Sequence, residues 1–224
     1  LTTRRQRQMC IRDSFIICLG YKGNLIKDYF LNYEAINNDF TISLGRSQEI
    51  TYHKADNEQD FRVTLVNTGL ETMTGGRVVK VKPYIDEDLF MVTYGDGLAD
   101  VSIRDLVKFH KGHGKMATVT TVQPLSRYGV LDVDREARVL KFGEKIKEDK
   151  MVSAGFFVFD RRVFDYLWEG NCILEKDPLE KLATEGQLMG YSHSGFFYAM
   201  DTFKEYQELN KMWKLGQAPW RIWE

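Results

Sequence analysis

The sequence predicts an α/β fold, and two observations carry the prediction. Short apolar runs alternate with amphipathic segments along the chain, as expected of strands and helices stacked in layers. The runs end in glycine, proline or polar turn residues, and Val92-Thr93-Tyr94-Gly95-Asp96-Gly97 closes one of them with two glycines around an acid. The 224 residues suit one large domain or two small ones. With no internal repeat and no linker rich in Pro, Gly or Ser, residues 15–224 read as one continuous domain.

Taken in order, Phe15–Leu19 reads as a buried strand, and Gly20 and Gly23 bracket a tight turn. Asn24–Tyr33 puts Leu25, Ile26, Tyr29, Phe30 and Tyr33 on one helical face. Phe40–Leu44 and Glu49–Lys54 read as short strands, Val63–Val66 as another, and Gly76–Ile85 as a helix. Leu89–Val92 reads as a buried parallel strand because it is apolar throughout. Ser102–His113 is a helix with Ser102 as N-cap, Asp105 three residues on, and Gly114 as its stop. Met116–Val122 is a strand rich in Thr and Val. Gly129–Val133 and Arg138–Phe142 form a strand pair around Asp134–Ala137. Ala154–Phe159 is a strongly apolar strand, and Arg161–Trp168 and Pro178–Glu185 are helices. Leu188–His193 and Phe196–Ala199 are strands, and Thr202–Leu215 is a helix that Gly216 ends.

Composition excludes several classes of function. There are 31 basic and 32 acidic residues, a net charge of −1, so a nucleic-acid or anionic-membrane partner is not expected. No apolar run approaches the roughly 20 residues that span a bilayer. Cys10, Cys18 and Cys172 are an odd, scattered set without metal-ligand spacing, which reads as reduced thiols in a cytoplasmic protein. His110 and His113 lie three apart at a helix end, where a helix C-terminal role is favoured over a metal site. No Ser/His/Asp or Cys/His arrangement stands out for nucleophilic catalysis.

Three constellations can carry chemistry. Asp96 sits at a strand end between Gly95 and Gly97, and Asp201 follows the apolar run Phe196–Met200. Two such carboxylates suit a hard cation of the kind that arrives with phosphates, Mg²⁺ above all. The second is Asn67–Arg77, in which Thr72, Thr74, Gly75 and Gly76 precede Arg77 where a helix begins; it reads either as a phosphate loop or as a plain solvated turn. The third places Glu144 and Lys145 after a strand and before Gly155; it reads as a sugar-phosphate contact or as a surface ion pair. The terminal run Ala218–Glu224, with Trp220 and Trp223, reads as a docking segment.

From Phe15 to Glu224 the chain resembles the glucose-1-phosphate cytidylyltransferases, a branch of the sugar nucleotidyltransferases. The resemblance rests on GYKG at Gly20–Gly23, TGxxxMTGGR at Thr68–Arg77, YGDGLAD at Tyr94–Asp100 and FHKxHGKxAT at Phe109–Thr118. It continues in GFFVF at Gly155–Phe159, MDT at Met200–Thr202 and APWRIWE at the C-terminus. It implies a Rossmann-like mixed sheet flanked by helices, and a reaction of CTP with α-D-glucose 1-phosphate that gives CDP-glucose and pyrophosphate. It also implies a use of the product in dideoxy sugars of bacterial surface polysaccharide, and a homo-oligomer. By the resemblance Asp96 and Asp201 bind Mg²⁺, Thr72, Arg77 and Gly95 contact the nucleotide, and Lys145 with Glu144 the sugar phosphate. Here Ile146 stands where the family has proline after the lysine.

The family's first strand, its GGxGTRL loop and its following KP motif do not occur in this sequence. The expected missing stretch is roughly 45–50 residues, room for a βα unit. Leu1–Ser14 is basic and without periodicity; it reads as a non-native leader joined to a truncated frame, or as a disordered basic arm. A chain so shortened is expected to be less stable and poorly active. Two other readings stand beside the cytidylyltransferase: a non-catalytic fragment with residual binding, and a uridylyl or thymidylyl transferase of the same fold.

Overall fold

The computed structural model describes residues 14–45, 49–53, 61–124, 130–143 and 150–222. The chain divides into two compact units, Leu1–Asp86 with Phe164–Pro178, and Glu87–Val163 with Leu179–Glu224.

In the first unit β1 (Ser14–Leu19) leads through α1 (Gly23–Leu31) and α2 (Tyr33–Asn37) to the hairpin of β2 (Asp39–Ile42) and β3 (Ile50–His53), then to β4 (Arg62–Asn67). β1 and β4 are parallel, in register from Ser14 with Arg62 to Leu19 with Asn67. The helix expected over 24–33 breaks at Asn32, whose side-chain amide donates to Asp28 O at 2.8 Å and so competes with helix continuation. After β4 comes α3 (Thr74–Val81), then a 3₁₀ turn at Lys82–Tyr84. The expected helix Gly76–Ile85 therefore stops early, because Pro83 has no N–H for the α-helical ladder.

The second unit holds β5 (Leu89–Thr93), β6 (Gly97–Ala99), α4 (Ile103–His113), β7 (Ala117–Val122), and the hairpin β8 (Val130–Val133) with β9 (Val139–Gly143). β10 (Val152–Asp160) follows. α5 (Asp177–Thr184) then precedes β11 (Leu188–Ser192), β12 (Phe197–Ala199) and α6 (Phe203–Lys214). Four strands form a mixed sheet in the order β11-β7-β10-β5. β11 is parallel to β7, and β10 is antiparallel to both β7 and β5. Two expectations need correction. Leu89–Val92 is neither parallel nor uniformly buried: β5 runs antiparallel to β10 at the end of that order, and Phe90 alone in it is buried. An apolar run is consistent with a buried strand of a parallel, mixed or sandwich sheet and does not fix its direction. The helix expected at Arg161–Trp168 is a 3₁₀ helix over Arg161–Tyr166.

Local signals hold where the sequence placed them. Ser102 Oγ accepts from Asp105 N–H at 3.3 Å, and Gly114 ends α4 in the left-handed conformation that glycine takes without strain. Among the described residues no helix is long and apolar enough to cross a membrane.

β10 is the centre of the second unit's core. Phe157, Val158 and Phe159 are fully buried, and the Phe157 and Phe159 rings stack at 5.4 Å. Thr118 and Thr120 of β7 are buried too. Thr118 Oγ1 lies 2.9 Å from His110 Nδ1 and 2.7 Å from His113 Nε2. Lys115 N–H donates to His113 Nδ1. The neutral His113 ring therefore carries its proton on Nε2 and donates to Thr118, whose hydroxyl also pairs with His110 Nδ1. The pair ties the end of α4 to β7 as neutral rings, so the favourable cation at a helix C-terminus expected of them is not what they supply. Burial and the neighbouring His113 push the His110 pKa down to about 4, against the opposing pull of the Asp160 charge.

Because the unfolded chain binds a proton at His110 near pH 6.5 and the folded chain only near pH 4, stability falls as pH drops through that window. The loss is about 3 kcal/mol at most. Urea midpoints measured from pH 7.5 to pH 4 should show this decline, and His110→Asn, which keeps an acceptor but cannot titrate, should flatten it. Thr120 Oγ1 is buried with no hydrogen-bond partner among the described residues. Thr120→Val should raise stability by about 1 kcal/mol in the same titration.

Candidate functional site

Two groups of residues, one in each unit, contain the sites that the sequence singles out. In the first unit the chain leaves both parallel strands at the same end, at Gly20 after β1 and Thr68 after β4. Carboxyl ends of parallel strands are where α/β sheets receive ligands. Here they are tied into a polar knot. The buried Thr68 donates through Oγ1 to Leu19 O at 2.9 Å and accepts from Arg77 Nη1 at 2.6 Å. Arg77 also donates to Leu19 O and, through Nη2, to Leu70 O. Thr72 Oγ1 and Lys80 Nζ both donate to Thr68 O, at 2.6 and 2.8 Å. A Cβ at Gly20 would come within 2.9 Å of Arg77 Nη2, so glycine is what lets the guanidinium lie there.

This geometry gives particular work to several residues. Thr72 and Arg77 fasten the loop to the strand ends. Thr74 Oγ1 accepts from Leu174 N–H and donates to Glu175. Gly75 and Gly76 are buried against Cys172 and Gly170, where a Cβ would lie 2.5 Å from Cys172 Sγ and 2.7 Å from Gly170 O. The glycine pair is thus needed for close packing of α3 on the segment after residue 169. Lys80 was missed by the sequence reading; its place one helical turn after Arg77 is the signal that could have found it.

In the second unit β6 and β12 form an antiparallel ladder, with Gly97 opposite Ala199. One further hydrogen bond, from Met200 N–H to Asp96 O at 2.9 Å, extends it. Asp96 precedes β6 and Asp201 follows β12, so the two acids stand at the same end of this ladder. Both are exposed. At Gly95 a Cβ would meet none of the described residues within 4 Å. Gly155 has φ +75° at a bulge in β10, and a Cβ there would clash with the Tyr94 ring. Its missing side chain lets Tyr94 pack down and so sets the Gly95-Asp96 turn. At the other end of the ladder Asp100 Oδ1 accepts from Phe196 N–H at 2.7 Å and lies 2.9 Å from His193 Nε2, a staple the sequence reading did not find. Trp220 is buried, with its ring 5.5 Å from Phe196, so the C-terminal segment docks as expected. Glu144, Lys145, Cys10, Trp223 and Glu224 lie outside the described residues.

The donor set suits Mg²⁺: two carboxylates offer hard oxygen atoms, and this ion commonly completes its shell with water and substrate phosphates. No group of three or more His, Cys, Asp or Glu side chains that could hold a metal occurs among the described residues, so a transition-metal cage has no counterpart there.

Residues 10–202 match the model of the nucleotidyl transferase family. A glucose-1-phosphate cytidylyltransferase of Salmonella typhimurium (strain LT2) is 43% identical over 216 residues, covering 96% of this chain and 82% of that protein. The corresponding Salmonella typhi protein matches at the same identity and coverage. The chain belongs to the glucose-1-phosphate cytidylyltransferase branch of the nucleotidyl transferase family. The fold agrees: the crystal structure of HddC from Yersinia pseudotuberculosis superposes with a TM-score of 0.62 at 18% identity, over 90% of this chain and 79% of that one.

If Gly155 is there to admit Tyr94, Gly155→Ala should lower stability by about 2 kcal/mol through backbone strain and the ring clash. In a Tyr94→Ala background the added cost should shrink toward the backbone part alone, which a double-mutant cycle in urea would show.

Proposed function

We propose that this chain transfers a cytidylyl group from CTP to α-D-glucose 1-phosphate, giving CDP-glucose and pyrophosphate. The observation that supports the reading is the β6–β12 ladder, which has Asp96 and Asp201 at the same end, in a chain 43% identical to a glucose-1-phosphate cytidylyltransferase. A phosphate oxygen of the sugar phosphate attacks the α-phosphorus of CTP, and pyrophosphate departs in line. No protein nucleophile is needed, so positioning and charge neutralisation carry the step.

Asp96 and Asp201 would hold the Mg²⁺, which when bound offsets charge on the α-phosphate and the leaving group. Gly95 offers open backbone to the nucleotide. The knot of Thr68, Thr72, Arg77 and Lys80 holds the strand-end loop in one conformation, so that nucleotide binding does not have to order it first. Glu144 and Lys145 are assigned to the sugar phosphate on the family motif alone. A cytoplasmic location, a homo-oligomeric assembly and a product destined for surface-polysaccharide sugars belong to the same proposal.

The test is pyrophosphate release from CTP with glucose 1-phosphate and Mg²⁺. Asp96→Asn and Asp201→Asn should each lower kcat/KM at least about 100-fold, because each removes a charge from the centre that stabilises the transition state. Variants that retain wild-type turnover would overturn the assignment.

A further inference from the structure

Asp201 stands just before α6, and its main chain is held from both sides. On one side Met200 N–H donates to Asp96 O at 2.9 Å. On the other, one carboxylate oxygen of Glu205 accepts from Asp201 N–H at 2.8 Å and from Thr202 N–H at 2.7 Å. Thr202 Oγ1 accepts in return from Glu205 N–H at 3.3 Å. An ordinary capping box needs only the reciprocal bonds between Thr202 and Glu205. The bond to Asp201 is additional, and it falls on the residue proposed above as a metal ligand.

We infer that Glu205 is a positioning residue: its carboxylate sets the main chain of Asp201 against Asp96 so that the two acids present one divalent-cation site. The inference rests on the proposed roles of Asp96 and Asp201. Groups that orient metal ligands typically matter by about 10–100-fold in metal affinity. Glu205 acts through the peptide N–H groups and thereby limits the directions open to the Asp201 side chain. Its charge also faces the N-terminus of α6, where a carboxylate is favoured.

The experiment is Mn²⁺ binding to the full chain in the presence of CTP, followed by electron paramagnetic resonance, with thermal unfolding of each variant alongside. Glu205→Ala should weaken Mn²⁺ about tenfold. Glu205→Gln, which keeps an acceptor oxygen and is the safer variant for folding, should recover most of that loss. Thr202→Ala removes the other half of the cap; it should lower the melting temperature while leaving Mn²⁺ affinity within about twofold. If Glu205→Ala lowers the melting temperature as Thr202→Ala does and leaves Mn²⁺ affinity unchanged, Glu205 is a helix cap and the inference falls. If Asp201→Asn also leaves Mn²⁺ affinity unchanged, the metal reading of Asp96 and Asp201 fails and takes the inference with it.

Discussion

One main-chain hydrogen bond, from Met200 N–H to Asp96 O, is the constraint on which the carboxylate end of the second unit depends. Asp96 and Asp201, on either side of it, come from distant parts of the chain, and both are exposed. Their meeting is a consequence of strand pairing. β6 and β12 are only three residues each, so the ladder is short and its register must be secured from outside. Asp100 does this at one end by accepting Phe196 N–H, and Glu205 does it at the other through Asp201 and Thr202. Between them Tyr94, seated on Gly155, sets the turn that carries Asp96.

The first unit meets a similar demand with different chemistry. Two parallel strands end together, and the carbonyls of Leu19 and Thr68 at their exits need partners as the chain turns away. The Thr68 N–H reaches Leu19 O, and the side chains of Thr68, Thr72, Arg77 and Lys80 add further donors to these two oxygens. A knot of charge-assisted hydrogen bonds is stiff and specific, and it is strongest where burial lowers the local dielectric. The cost is that Arg77 is engaged in holding its own loop.

Glycines in these motifs do different work, which composition alone does not separate. Gly20, Gly75, Gly76 and Gly155 each sit where another atom of the protein would meet a Cβ, so they are there for packing. Gly95 is different: none of the described residues would meet a Cβ there. A motif such as MTGGR thus contains residues that shape a loop together with residues that hold that loop to its support.

Much of the fold was legible in the residues themselves. Ser102, Asp105 and Gly114 mark both ends of α4 through bonds spanning a few residues, and such local signals survive in any context. Asp96 and Asp201 stand out in the residues as acids that close apolar runs, apart from any motif. Other features were legible only in part. Pro83 could have ended α3 early, and Thr202-Phe203-Lys204-Glu205 has capping-box spacing. The direction of β5, the seat of Tyr94 on Gly155, the Asp100 staple and the partners of Lys80 were not legible. The sequence by itself determined the α/β class, the family and the helix caps, because those follow from local chemistry and motif identity. Only the tertiary structure decided which residues face one another, because strand direction and register are chosen by contacts between segments far apart in the chain.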